Sequence, residues 1–260
     1  MPFRNAHYIL LLLVPMIALA FWPSYFGQVR SAPFALHAHG LSAMAWLGLL
    51  WLQAWTAHRR LSLHRLSGLA IFVLAPLFVM GGLLAMQSMA TLAAAKSDPF
   101  HAHYGARLAL DDALAIVAFL ALVTFAVARR RSVWMHGGAM LATALLVLPP
   151  IITRLPVFPE GASFSTIFLI AQGTALVGAV VLAPRRPGPF RFVGATIAAQ
   201  IFLVQTFGLS AAWERICFAL ISVPPIALAI AGLVLGAVPL WLAWRRPAGS
   251  RPAAMAAAEA

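Results

Sequence analysis

Five short basic clusters divide this chain into long, nearly uncharged intervals, and that alternation constrains the fold more than any other feature. Thirteen of the eighteen Lys and Arg residues sit at Arg4; at Arg59, Arg60 and Arg65; at Arg129, Arg130 and Arg131; at Arg185, Arg186 and Arg191; and at Arg245, Arg246 and Arg251. Each interval is long enough to cross a bilayer twice, at about 20 residues per crossing. Basic residues concentrate at the cytoplasmic ends of membrane helices. The clusters therefore predict an all-α, polytopic membrane bundle with both termini in the cytoplasm.

Composition excludes the soluble classes. Hydrophobic residues make up 63% of the chain and charged residues 9%, with a mean hydropathy of +0.92. Soluble domains carry roughly 25% charged residues, so lipid is the expected solvent and partner of most of this surface. The net charge of +12 would suggest nucleic acid if the arginines formed one soluble patch, but at helix ends their natural partner is an anionic headgroup. The single cysteine, Cys217, excludes an internal disulfide, a Cys-rich zinc site and covalent haem attachment through CxxCH.

Eight crossings are expected, near residues 8–26, 34–57, 67–92, 107–128, 134–155, 163–182, 192–209 and 223–244. Every basic cluster then faces the cytoplasm, while Arg30, Lys96, Arg107, Arg154 and Arg215 remain outside with Asp98, Asp111, Asp112, Glu160 and Glu214. That split requires an even number of crossings, and a bacterial inner membrane is the expected location. Ala18-Leu19-Ala20 resembles a signal-peptidase site, and cleavage there would leave seven. Three regions follow: a histidine-containing five-helix module at 1–158, a three-helix module at 159–246, and an Ala-rich tail at 247–260 expected to be disordered.

Histidines mark where chemistry is expected. His7, His37, His39, His58, His64, His101, His103 and His136 all belong to the first five crossings, and the last three have none. On the expected topology they form two layers. His39 and His103 lie on the outer side, at the second and fourth crossings; His64 and His136 lie on the inner side, at the third and fifth. A four-helix bundle with such layers would hold two b-type haems, each iron bound by two neutral imidazoles. Helical spacing places His39, Ser42, Trp46 and Gln53 on one face, and His136, Met140, Thr143 and Val147 on another. Gly68, one turn after His64, leaves room for a porphyrin edge. The doubled pairs His37/His39 and His101/His103 admit a second reading, a metal site of four imidazoles for Cu(II), Zn or Fe. Such a site works best with both pairs in loops or frayed helix ends, because residues two apart do not share a helical face.

Asp111 and Asp112 stand inside an apolar run, where a carboxylate costs roughly 2.5–3.5 kcal/mol on insertion scales. They are expected either to form an ion pair, Asp111 with Arg107 or Asp112 with Arg154, or to take part in proton transfer or metal binding.

Leu63-His64-Arg65-Leu66 and Trp134-Met135-His136, followed by Thr143, Pro149-Pro150 and Arg154, resemble segments of a group of uncharacterised bacterial multi-pass membrane proteins. In that group an HRxLG-like turn precedes one helix and an HxxxMLAT-like helix ends near an arginine. Ser67 interrupts the first pattern here, and Gly137-Gly138 follows His136 where bulkier residues are expected. The order of His39, His64, His103 and His136 is also similar to that in transmembrane di-haem cytochromes b. That likeness implies haem b and exchange of electrons with a membrane donor or acceptor.

Three functional readings remain open from the sequence: a b-type haem electron carrier, a proton-coupled transporter using Asp111, Asp112 and Arg154, and a non-catalytic membrane scaffold. A metal-dependent membrane enzyme is a fourth, and no catalytic residue is identified for it.

Overall fold

The computed structural model describes residues 3–159, 161–183 and 188–246. The tail at 247–260, with Arg251, and the residues Glu160, Arg185 and Arg186 lie outside these described residues. Ten α-helices and no strand occur among them: α1 (Ala6–Phe21), α2 (Phe34–Thr56), α3 (Leu61–Gly68), α4 (Ile71–Ala94), α5 (Pro99–Ala128), α6 (Val133–Ile152), α7 (Phe164–Leu182), α8 (Pro189–Gln205), α9 (Ala211–Ala219) and α10 (Pro225–Arg245). Proline occupies the first turn of α5, α8 and α10, where its missing N–H is no loss. Asp98, Ser163 and Ser210 cap α5, α7 and α9 by accepting backbone N–H bonds.

Seven helices are long and apolar enough to cross a membrane: α2, α4, α5, α6, α7, α8 with its 3-10 extension to Leu209, and α10. Lipid-facing residues such as Val117, Val181, Ile226 and Trp241 are exposed, as a bilayer solvent permits. The chain is an all-α multi-pass membrane protein. With 16 residues, α1 extends about 24 Å, less than the roughly 30 Å of hydrocarbon. It nonetheless runs beside α6 from end to end. Phe3 stacks on Trp134 at the start of α6, with ring centres 4.8 Å apart, and the Arg154 guanidinium beyond the end of α6 lies 5.1 Å from the Phe21 ring.

Successive long helices alternate in direction, which sorts the termini into two ends. At the arginine-rich end, Phe72 at the start of α4 meets Trp244 at the end of α10, and Arg130 after α5 donates to the Trp244 carbonyl. At the opposite end, Gln87 on α4 donates to the carbonyls of Leu220 and Val223 just before α10, at 2.8 and 2.7 Å. Trp213 of α9 is buried there and bonds the Ala106 carbonyl of α5 at 2.6 Å. In the 210–222 segment Glu214 and Arg215 are exposed, with no ion pair between them among the described residues.

Two boundaries differ from expectation. The third crossing was expected to begin at Ser67; instead Leu61–Gly68 forms the separate helix α3, and α4 starts at Ile71. Gln53 of α2 holds α3 in place by donating to Ser67 Oγ at 2.7 Å and to the His64 carbonyl at 3.2 Å. The fourth expected crossing, α5, starts at Pro99 rather than Arg107 because Asp98 caps it, and its 30 residues extend about 45 Å, beyond the hydrocarbon.

One hydrophobic core joins the two expected modules: Trp46, Phe119 and Ala139 share it with Ala179, Phe190, Ile197 and Leu240. Gly232 and Gly236 let α10 lie directly on α4. A Cβ at either would come within 2.5 Å of the Met80 or Pro76 Cα. Gly81 does the same between α4 and α2, where a Cβ would meet the Ala38 carbonyl oxygen and the His39 Cα at 2.7 Å.

Candidate functional site

At the arginine-rich end a cavity of about 590 Å³ opens between α2, α3, α4, α6 and the end of α10. Its volume falls within the roughly 300–1,000 Å³ of small-molecule sites. Leu49, Leu50, Ile71, Phe72, Met140 and Leu141 give it an apolar wall, and His64 and His136 both line it. The two imidazole centres are 6.4 Å apart with planes at 84°.

Hydrogen bonds assign the protons. His64 Nδ1 lies 3.2 Å from the Gln53 carbonyl oxygen, and His136 Nδ1 lies 3.0 Å from the Ala126 carbonyl oxygen. A carbonyl only accepts, so each Nδ1 carries a proton, and in the neutral form of either ring the lone pair is on Nε2. This is how proteins orient an imidazole for metal ligation. Burial holds His64 below the ordinary imidazole range. The Gln53 hydrogen bond opposes that shift, while the charges of His136, Arg65 and His58 reinforce it. The ring therefore stays neutral and able to donate its lone pair.

His64 and His136 are the residues that could hold a metal or cofactor in this cavity. Two imidazoles that share one metal, with metal–nitrogen bonds of about 2.0 Å, have ring centres no more than about 6 Å apart. The separation of 6.4 Å is close to that value. Gly68 lines the same cavity, and a Cβ there would meet the Gln53 side-chain oxygen at 3.4 Å.

The outer histidines are arranged differently. His39 packs its ring on Phe78, and its Nδ1 is buried with no partner among the described residues. His103 is exposed and rests against Tyr104, so the structure does not bring it to His39. His37 shares a 3.0 Å hydrogen bond with Tyr25, and His101 Nδ1 bonds Asp98 at 2.5 Å. All four lie in regular α2 or α5, and no group of three or more His, Cys, Asp or Glu side chains that could hold a metal ion occurs among the described residues. The expected four-imidazole site is not assembled.

Neither expected ion pair forms among the described residues. Arg107 donates to Gln205 Oε1 on α8 at 2.6 Å and lies over the Tyr104 ring, leaving its buried Nε unpartnered. Asp111 accepts from Gln172 Nε2 of α7 at 2.9 Å, and its main-chain carbonyl accepts from Gln200 Nε2 of α8 at 3.1 Å. Arg154 donates to the Pro150 carbonyl at 2.8 Å, and its charge reaches Asp112 and His39 from beyond ion-pair distance.

Sequence reasoning missed Gln172, Gln200 and Gln205, though amide side chains within apolar helices are themselves a signal. It also missed Arg65 and Arg130 as cavity residues, because both had been assigned to the basic clusters. In comparisons with known proteins the chain matches no family model, no curated protein and no solved structure.

Proposed function

We propose that this is an electron-transfer protein of the bacterial inner membrane that holds one b-type haem between His64 and His136. The arginine-rich end faces the cytoplasm, α1 is an eighth crossing, and both termini are cytoplasmic. The supporting observation is the pair of imidazoles 6.4 Å apart in one cavity, each with Nδ1 committed to a main-chain carbonyl. Haem held there by His64 and His136 would supply a one-electron couple. The chain's own residues orient both rings through Gln53 and Ala126 and keep bulk lipid away with Leu49, Leu50 and Met140. Electrons would pass to or from a membrane donor or acceptor. The proposal is confined to the inner pair, because His103 is exposed and makes no contact with His39.

Protein purified in detergent should show a Soret band that shifts on dithionite reduction. His64→Ala and His136→Ala should each abolish the bis-imidazole spectrum while preserving helicity. A colourless wild-type preparation, even after incubation with haem, would overturn the reading.

A proton-coupled transporter is the second reading, favoured by Asp111. This carboxylate is held by an amide from α7 and has no basic side chain within ion-pair distance among the described residues. Such placement suits a group that takes up and releases protons. Proton flux into vesicles that is unchanged by Asp111→Asn would count against it.

A further inference from the structure

We infer that the occupant of the cavity is an amphiphile with an acidic head, whose acid groups sit between Arg65 and Arg130 at the mouth. The assignment of that occupant as haem rests on the preceding reading; its acidity does not. Among the residues lining the cavity there are two arginines, Arg65 and Arg130, three histidines, and no Asp or Glu. The described acids, Asp98, Asp111, Asp112 and Glu214, belong to the opposite half of the bundle, on the first half of α5 or on α9. The mouth therefore carries positive charge that no side chain of the cavity wall compensates, above a wall of Leu49, Leu50, Leu69, Phe72 and Leu141.

One of these cations is fixed before any ligand arrives. The Arg130 guanidinium donates to the carbonyls of Val127, Trp244 and Arg246 at 3.2, 3.3 and 3.4 Å, and it lies 4.8 Å from the Trp244 ring centre. Trp244 is itself braced edge-on by Phe72. A guanidinium has five donors, so Arg130 can still offer N–H groups to an anion in a preset direction. Arg65 follows His64 directly in α3 and is exposed at the rim. His58 lines the same mouth and adds a third donor. Two carboxylates of a porphyrin and the phosphate of an anionic lipid share the chemistry these groups would recognise.

The full-length protein distinguishes the two sources. In one arm, wild type, R65Q and R130Q are titrated with haem and with haem dimethyl ester, whose acid groups are blocked. In the other, the same proteins are placed in phosphatidylglycerol or phosphatidylcholine nanodiscs and retained lipid is counted by native mass spectrometry. For haem carboxylates, wild type should bind haem about tenfold tighter than the ester, the value of one charge-assisted contact of about 1.4 kcal/mol. Each variant should lose that preference while keeping its affinity for the ester and its bis-imidazole spectrum. For a lipid phosphate, only retention of phosphatidylglycerol should depend on the two arginines. If neither ligand class depends on Arg65 or Arg130, the inference fails. Absence of any bis-imidazole spectrum with either porphyrin would instead strike the haem reading, leaving the lipid arm to decide the acidity of the occupant.

Discussion

Trp46 on α2 donates its indole N–H to Thr143 Oγ1 on α6 at 3.1 Å, and both side chains are fully buried. The Thr143 hydroxyl in turn donates to the Met140 carbonyl at 2.7 Å, so it acts as both donor and acceptor. This contact links the helix that carries Gln53 to the helix that carries His136.

Thr143→Val keeps the shape but leaves the indole N–H unpaired in the core, at a cost of about 1–3 kcal/mol. Thr143→Ser should retain most of the stability. Thermal unfolding in detergent followed by tryptophan fluorescence measures the difference, and equal midpoints for the two variants would contradict the assigned bond.

Contact between α4 and α10 depends on the absence of side chains at Gly232 and Gly236. Gly236→Val would drive a branched carbon into the Pro76 backbone, where even a Cβ comes within 2.5 Å of its Cα. Overpacking of this kind costs about 1–3 kcal/mol or more. It should also displace Trp244 from the cavity mouth. Gly173→Ala is the control, since nothing lies within 4 Å of a Cβ there. A melting temperature lowered by the first change and unaltered by the second is the expected result.

The pH dependence follows from His64, whose folded pKa lies below the ordinary value of about 6.5 because burial disfavours its charged form. In the window between the folded and ordinary values the unfolded chain binds more protons than the folded one. Stability therefore rises with pH through that window and is lost as pH falls below about 6.5. Stability profiles of wild type and His64→Gln from pH 5 to 8 should diverge on the acid side only, and parallel profiles would remove His64 as the titrating group.

Gln172 and Asp111 form a buried polar pair between α7 and α5, 2.9 Å apart. Gln172→Leu would leave the carboxylate oxygen without its amide donor, a cost of about 1–3 kcal/mol. Replacing Asp111 as well, with Leu, should restore part of the loss, because two apolar groups need no partners. A double-mutant cycle on thermal stability tests this, with additive losses as the contrary outcome.

By itself the sequence determined the membrane class, the alternation of basic and acidic ends, and most helix spans. Each depends on local transfer of a stretch of chain from water to lipid, where charge and unpaired backbone are costly wherever the stretch ends up. Inward faces were legible for the same reason: Ser42, Trp46, Met140 and Thr143 are all buried on the helical spacing that marked them. Only the tertiary structure decided which histidines meet. His64 and His103 read alike as residues near the starts of helices, but α3 folds back onto Gln53 while the capped start of α5 extends past the hydrocarbon and leaves His103 exposed. Likewise the partners of Asp111 and Arg107 came from α7 and α8 rather than from neighbours four residues away. Side-chain pairing across helices depends on rotation and depth, which are set by close contacts such as Gly81 on Ala38 and Gly236 on Pro76. Those contacts join residues far apart in the chain, so no local pattern encodes them.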